Sequence, residues 1–417
     1  YGSDAIAGTV NIRLRAPIEG LETSALSGVS ARGDNFRWKL SGAGGFGFAG
    51  ARGTVTLAIS HDEATGVGSP ARSYYRAGLG NAPNPCTAFA PGVCSPVGTI
   101  GALGPAGRTP QTDGRGNPDI GFNDSTTDGN PPTVLVRDFR LAAVAPGGVL
   151  SSGPGAYSWR FAPDGTLVPH ARGTLFAAPL SGPLAAAALA SGGDGLRLFD
   201  HVALTSDIRR SNAALLAGFD LTDRLHLFAE GLFYEGRASE PVDLPGFNAV
   251  LFQGASGALT FRTDNPLLSG QAREQLAALG YGETFQISRA NTDLADLSGA
   301  TRNRLYRGVA GLRGGFDAGG RPFAFEVSLN LGRSDFADFG QTIDTQRFIN
   351  AINVTGTGGA VSCSPVPTVT GLPAGMAPVA DPACVPLNLF GEGAPSAAAL
   401  AYVLRDTISR SRLEQQV

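Results

Sequence analysis

Charge is scarce in this chain. Only 16% of its residues are Asp, Glu, Lys or Arg. Lys39 is the single lysine and Met376 the single methionine, so nearly every cation is Arg, a bias of genomic base composition rather than of mechanism. The formal charge of −3 and the pI of about 5.9 exclude the strongly basic surface of a nucleic-acid binder. No run of about 18 apolar residues occurs, which excludes a transmembrane helix. The most apolar stretch, Pro183 to Ala190, is alanine-rich and too short. His61, His170, His201 and His226 stand far apart without ligand spacing, so a metal held by them is not expected. The four cysteines contain no CxxC and have no nearby His, which argues against zinc. No Gly-x-Ser-x-Gly element or other nucleophile motif is found. No enzyme chemistry and no cofactor are expected.

Glycine is abundant, with 59 residues in 417, a length that suits one large unit or two to three domains. The organising signal is unequal spacing. Strand-like runs come in pairs joined by tight turns, and very long polar stretches separate the pairs. Phe36, Trp38, Leu40, Phe46 and Phe48 share one parity, and after a turn at Ala49-Gly50 come Val55, Leu57 and Ile59. A second pair runs from about Ile208 to Phe219 and from about Leu225 to Phe233. A third runs from about Arg302 to Phe316 and from about Phe323 to Ser334, joined across Gly319-Gly320. In its last strand Phe323, Phe325, Val327, Leu329 and Leu331 alternate with Glu326, Ser328 and Asn330. Runs of about 10 to 14 residues exceed the usual soluble strand and suit a tilted strand that crosses a bilayer, one face to lipid and the other to a polar lumen. The tight turns then belong on one membrane side and the long stretches on the other.

The long stretches are roughly Ala64–Asp200, Arg237–Ala300 and Phe336–Leu413, and they hold most of the prolines and all the cysteines. Ser269 is placed to cap a helix over Gln271–Leu279, closed by Gly280, and Ser396 one from Ala397 to about Leu404. The cysteines form two local pairs, and two loop disulfides in an oxidising compartment, Cys86–Cys94 and Cys363–Cys384, fit them best.

Other patterns read as structural. Gly42-Ala43-Gly44-Gly45-Phe46-Gly47 matches G-x-G-x-x-G, but a strand follows it instead of the helix a dinucleotide site needs. The oxygen-rich run of Asp113, Asn117, Asp119, Asn123, Asp124 and Asp128 lacks EF-hand spacing and reads as a solvated loop. The sequons at Asn123 and Asn353 carry little weight. Tyr74, Tyr75, Tyr157 and Trp159 are loop aromatics that suit ligand contact or loop packing equally.

The first twelve residues read Tyr1-Gly2-Ser3-Asp4-Ala5-Ile6-Ala7-Gly8-Thr9-Val10-Asn11-Ile12. Taken alone they are a turn followed by an alternating strand. As a string they resemble the end of the plug domain of TonB-dependent outer-membrane receptors, with Ala7, Thr9 and the following Arg13-Leu14-Arg15 as departures. Later segments resemble loop segments of the same family: Ser158-Trp159-Arg160-Phe161 with Asp164 to Pro169, Thr263 to Leu268, and Cys384 to Gly391. The resemblance covers essentially the whole chain.

It implies an all-β protein: part of a transmembrane antiparallel β-barrel, about seven to eight of roughly 22 strands, with long extracellular loops. Residues 1–16 would be the C-terminal end of the plug and 17–417 the N-terminal portion of the barrel, so the chain is expected to be a fragment, with an eighth strand starting near Leu413. The implied function is active uptake of a scarce solute (siderophore-iron, cobalamin or a saccharide) across the cell outer membrane of a Gram-negative bacterium. The implied partners are outer-membrane lipid, the small-molecule solute, and the TonB–ExbB–ExbD complex engaged through the missing N-terminal part. His226, Glu230, Arg307, Arg313 and Glu326 would face the lumen, hydrating it and bonding the plug. Two rivals share features with this reading. A passive porin or autotransporter barrel would lack the plug-end string, and a secreted all-β enzyme or adhesin would need evenly spaced short strands.

Overall fold

Period-2 alternation in the sequence becomes one large sheet in a computed structural model, which describes residues 18–83, 111–112, 118–119, 133–177, 189–241, 259–295, 298–357, 359–372 and 375–416. The plug-end string (Tyr1, Gly2, Ser3, Asp4, Ala5, Ile6, Gly8, Asn11) and the Cys86/Cys94 pair lie outside the described residues. So does most of the run from Asp113 to Asp128.

The protein is all-β in its main architecture. Its principal sheet has eight strands in chain order: β1 Gly20–Gly28, β2 Arg37–Phe48, β3 Gly53–Ala64, β4 Asp207–Thr222, β5 Leu225–Pro241, β6 Ser298–Ala318, β7 Arg321–Ile343 and β8 Leu404–Gln416. Every neighbouring pair is antiparallel. Connections therefore alternate between the two ends of the sheet. The tight turns after β2, β4 and β6 share one end. The β1–β2 connection and the three long insertions, 65–206, 242–297 and 344–403, share the other. Turn chemistry is visible at Gly319 and Gly320, whose φ values of 59° and 75° are those of a type I′ hairpin, where glycine removes the steric penalty.

Four strands run longer than the sequence pattern indicates. β4 and β5 have 16 and 17 residues, and β6 and β7 have 21 and 23. The eighth starts at Leu404, not near Leu413. The physical reason lies in the extensions toward the insertions, where Glu235, Arg237, Asp335 and Asp338 interrupt the apolar alternation. There Arg304 bonds Glu235 and Arg412 bonds Asp335 across strands, so hydrophobic alternation ends while the hydrogen-bond ladder continues.

Register separates the two faces, because directly paired residues point the same way. One face carries Leu57, Leu215, Leu227, Val327, Leu329 and Leu331, and it stays open: Val327 is 68% and Leu57 50% exposed. Toward the tight turns this face is rimmed by Phe46, Phe48, Phe316, Phe323 and Phe325. Toward the insertions Phe233 and Tyr306 mark its limit, with Arg333 in their row, Arg304 in the next, and Trp38 one row further in line with Arg237 and Arg302. On β7 the apolar run from Phe323 to Leu331 spans about nine residues, the length of a strand tilted across a hydrocarbon layer. No helix among the described residues is long and apolar enough to cross a membrane.

The main buried core lies in the insertions. The described residues of the long stretches form a packed cap to which all three contribute. A five-stranded sheet joins Leu167–Pro169, Trp159–Phe161, Val149–Leu150, Thr284–Ser288 and Thr260–Arg262. Around it pack α1 (Gly270–Ala278), α2 (Thr345–Ile352) and α3 (Ala397–Val403). Ser269 and Ser396 cap α1 and α3 by accepting hydrogen bonds from the Ala272 and Ala399 N–H groups. The intervening α2 is capped the same way by Asp344, which accepts from the Arg347 N–H at 3.1 Å. Phe161, Phe261, Phe285 and Phe390 meet at the centre, with Phe161 and Phe390 5.2 Å apart.

Cys363 and Cys384 form a disulfide that closes the third insertion over a separation of 21 residues, with Cα atoms 6.2 Å apart. Loop-closure entropy sets its contribution at about 3 kcal/mol. Reduction should therefore raise protease sensitivity between Cys363 and Cys384 and leave the β1–β8 ladder unchanged. Limited proteolysis with and without reductant, read by peptide mass, checks this.

Candidate functional site

The polar face of the eight-stranded sheet is built by the side chains left over from the apolar alternation. Threonine, serine and asparagine recur on it, as in Thr54, Thr56, Ser60, Asn212, Ser328 and Asn330, with Leu216 and Ala214 among them on β4. Charged groups are set among them in cross-strand pairs. Arg210 is paired with Asp62 at 2.9 Å, and Asp62 is buried.

All five charged residues singled out in the sequence lie on this face. His226, Arg313 and Glu326 occupy one cross-strand row that begins at Asp220 on β4. His226 Nδ1 lies 2.6 Å from Asp220 Oδ1, and the Arg313 guanidinium sits over the Phe228 ring at 5.7 Å. This row lines a hollow of about 590 Å³ near the tight turns. Glu230 accepts a hydrogen bond from Arg307 at 3.1 Å on the same face, away from that row. A second hollow of about 590 Å³, toward β1, is lined by Glu22, Ser24, Ser41, Ser60, Asn212 and Tyr234. Its lining mixes these groups with Ala58, Leu232 and Leu305, so it suits a solute that carries both polar and apolar parts.

The chain reaches β1 across this polar face. The Ile18 N–H donates to Thr56 Oγ1 at 3.3 Å. Gly45 makes the approach possible, because a Cβ there would collide with the Ile18 carbonyl oxygen. The glycine-rich string from Gly42 to Gly47 is thus a strand that lets a second segment of backbone lie against it.

Above the long-insertion end, the cap holds its own polar centre. Arg289 is fully buried, and no sequence signal distinguishes it from the other arginines. Its Nε donates to the Leu389 carbonyl at 3.0 Å, and Nη2 donates to Asp293 Oδ2 at 2.8 Å and to the Gly391 carbonyl at 3.1 Å. The three later strings that carry the family resemblance come together here. Leu268 shares one buried core with Phe161, Leu167, Leu389 and Phe390, and Ser269, the residue after the second string, donates through Oγ to the Gly165 carbonyl at 2.9 Å. Trp159 packs against this core, while Tyr74 and Tyr75 lie 5.2 Å apart in the first insertion, with Tyr75 near Phe199. Asn353 is buried, and its side-chain oxygen accepts from the Thr368 and Val369 N–H groups, so the sequon there has no room for a glycan.

Two acidic groups brace this end of the molecule, one between the β1–β2 connection and the first insertion and one within the third insertion. Arg72 forks onto Asp34 in the β1–β2 connection, which pushes the Asp34 carboxyl far below the usual range. The Tyr402 hydroxyl donates to Asp381 at 2.8 Å and holds that carboxyl down as well. Among the described residues no group of His, Cys, Asp and Glu could hold a metal ion.

His170 supplies a pH-dependent element in the cap. Burial pushes its pKa down; a bond to the Ala142 carbonyl at 2.7 Å and the charge of Asp194 oppose this, while Arg160 and Arg172 add to it. A folded-state pKa below the ordinary value of about 6.5 means that the unfolded chain binds the proton more readily. The stability that neutral His170 contributes is present above that pH and is lost as pH falls through the folded-state value. Thermal melts between pH 7.5 and 5 should show the loss, and His170→Gln should flatten the slope.

In comparisons with known proteins, the chain matches no family model and no curated protein.

Proposed function

We propose that the chain is part of a TonB-dependent outer-membrane receptor that takes up a scarce solute. In this reading the apolar face meets outer-membrane lipid, the polar face lines the lumen, and the cap stands on the extracellular side. The two free edges of the sheet continue into further strands that close a barrel. The observation that carries the reading is the combination of an uncovered apolar band, about nine residues tall on β7, with tight turns at one end of the sheet and large insertions at the other. The approach of Ile18 to Thr56 on the polar face supports a plug that lies inside the lumen and runs directly into β1.

The mechanism follows from the physics of that arrangement. Solute is captured between the cap and the plug apex. Work transmitted by TonB–ExbB–ExbD then shifts the plug against the polar groups of the wall, opening a path past His226, Arg313 and Glu326. No bond in the solute is broken. The residue string at the start of the chain favours this over a passive porin or autotransporter, because such barrels have no plug. The test is uptake by cells that express the full-length protein, with and without TonB. Loss of uptake without TonB supports active transport, and undiminished uptake would establish a passive pore. Trials with siderophore-iron, cobalamin and saccharides identify the solute.

A further inference from the structure

Two hollows on the apolar face have no part in passing a solute across the polar one. The lower, about 770 Å³, sits at the upper limit of the apolar band, walled by Leu57, Leu215, Leu331, Phe233 and Tyr306. Its floor is low because Gly231 and Gly308 pair there across β5 and β6. The upper, about 700 Å³, is lined by Arg209, Arg237 and Arg302 with Phe36, Trp38 and Phe339, and by Glu63 and Asp207; Glu63 pairs with Arg209 at 3.6 Å, and the three guanidiniums leave one positive charge over the two carboxylates. The Arg302 guanidinium lies over the Phe339 ring at 5.4 Å.

Between the hollows the arginines are arranged around carboxylates. Glu235, Arg304, Asp335 and Arg412 form one cross-strand row. Glu235 accepts from Arg304 and from Arg237, and Asp335 accepts from Arg333 at 2.8 Å and from Arg412 at 2.7 Å. Glu235 with Arg304 and Arg237 is net positive, whereas Glu414 beside Arg333 brings the Asp335 cluster to neutrality. Arg237, Arg302 and Arg410 share the next row outward. These arginines stand where an apolar band gives way to water, the level of a lipid headgroup.

We propose that the two hollows form one binding site for an anionic, phosphate-bearing membrane lipid. Its acyl chains lie in the lower hollow, and its phosphate is held by Arg237 and Arg302 in the upper one. Guanidinium forks match phosphate oxygens bidentately, and basic groups beside an apolar surface select anionic lipids. A free phosphate would leave the lower hollow unused. The inference rests on the reading that the apolar face meets lipid.

The test uses the full-length protein in nonionic detergent, probed by native mass spectrometry with phosphatidic acid, phosphatidylcholine and inorganic phosphate. Phosphatidic acid should be retained about tenfold over phosphatidylcholine, and inorganic phosphate should not displace it. Arg237→Gln combined with Arg302→Gln should cut retention about tenfold, while Arg321→Gln, on the same face at the tight-turn end, should not. A Cβ at Gly308 meets nothing within 4 Å, so Gly308→Leu fills the lower hollow without straining the sheet and should also reduce retention. Heat-modifiable gel mobility identifies folded variants. Equal retention of the two lipids, displacement by phosphate, or full retention by folded variants of both kinds would overturn the proposal. So would a dimer of the chain that covers this face and excludes lipid. A protein that never partitions into membranes would instead overturn the outer-membrane reading itself.

Discussion

Val327→Arg should destabilise the folded protein in a bilayer by about 2–4 kcal/mol, and Ser328→Arg should cost far less. Val327 lies midway along the apolar run of β7 and is 68% exposed on the face that carries Leu312 and Leu227 beside it. In the proposed membrane an arginine there has no water and no acidic partner. Ser328 is one residue further along and projects from the opposite face, in the row of Gly311 and Phe228, where a charge reaches the polar side. The contrast separates lipid contact from general crowding, since both substitutions add the same side chain to the same strand. Urea titration of the full-length protein in lipid vesicles measures the difference. Equal costs at the two positions would reject the assignment of faces.

Arg289→Met should cost about 3–5 kcal/mol and should loosen the cap without melting the sheet. The guanidinium joins the second insertion to the third through the Leu389 and Gly391 carbonyls. Methionine replaces the volume but none of the donors. It leaves two carbonyls unpaired, and it leaves the Asp293 carboxylate with the Gly393 N–H at 2.7 Å but without its cation. The penalty is that of a buried ion pair broken on one side, which exceeds the small net worth of the intact pair. Hydrogen exchange should report faster exchange at Phe285, Ile287 and Leu389, with protection across β5 to β7 unchanged.

The parts of the fold that were legible in the sequence are those governed by local physics. Phe323 to Leu331 alternate because one face of β7 is uncovered and the other polar, so a period of two is written in the residues. Ser269 and Ser396 announce their helices because an N-cap hydroxyl is a local device. Asp344 gave an equivalent signal ahead of Phe348, Ile349 and Ile352, but it lies within a stretch whose prolines and glycines suggested loop. The ends of β5 beyond Phe233 and of β7 beyond Ser334 were hidden because charged residues break the alternation there and cohesion comes from ion pairs such as Arg304–Glu235 and Arg412–Asp335. The cap was hidden for a different reason. Phe161, Phe285 and Phe390 belong to three segments far apart in the chain, and no periodicity within any one segment reveals that they meet. The five charged residues of the polar face could be placed by parity alone, but the row that joins His226, Arg313 and Glu326 required the register.

The central claim, that one face of this sheet meets lipid and the other water, is tested most directly by nitroxide scanning of β7 from Phe323 to Leu331. The measurement is made on the full-length protein in lipid vesicles, reading collision with oxygen against a water-soluble nickel chelate. Labels at Phe325, Val327 and Leu329 should favour oxygen, and labels at Glu326, Ser328 and Asn330 should favour the chelate, in strict alternation. Uniform access of the chelate to both sets would contradict the account.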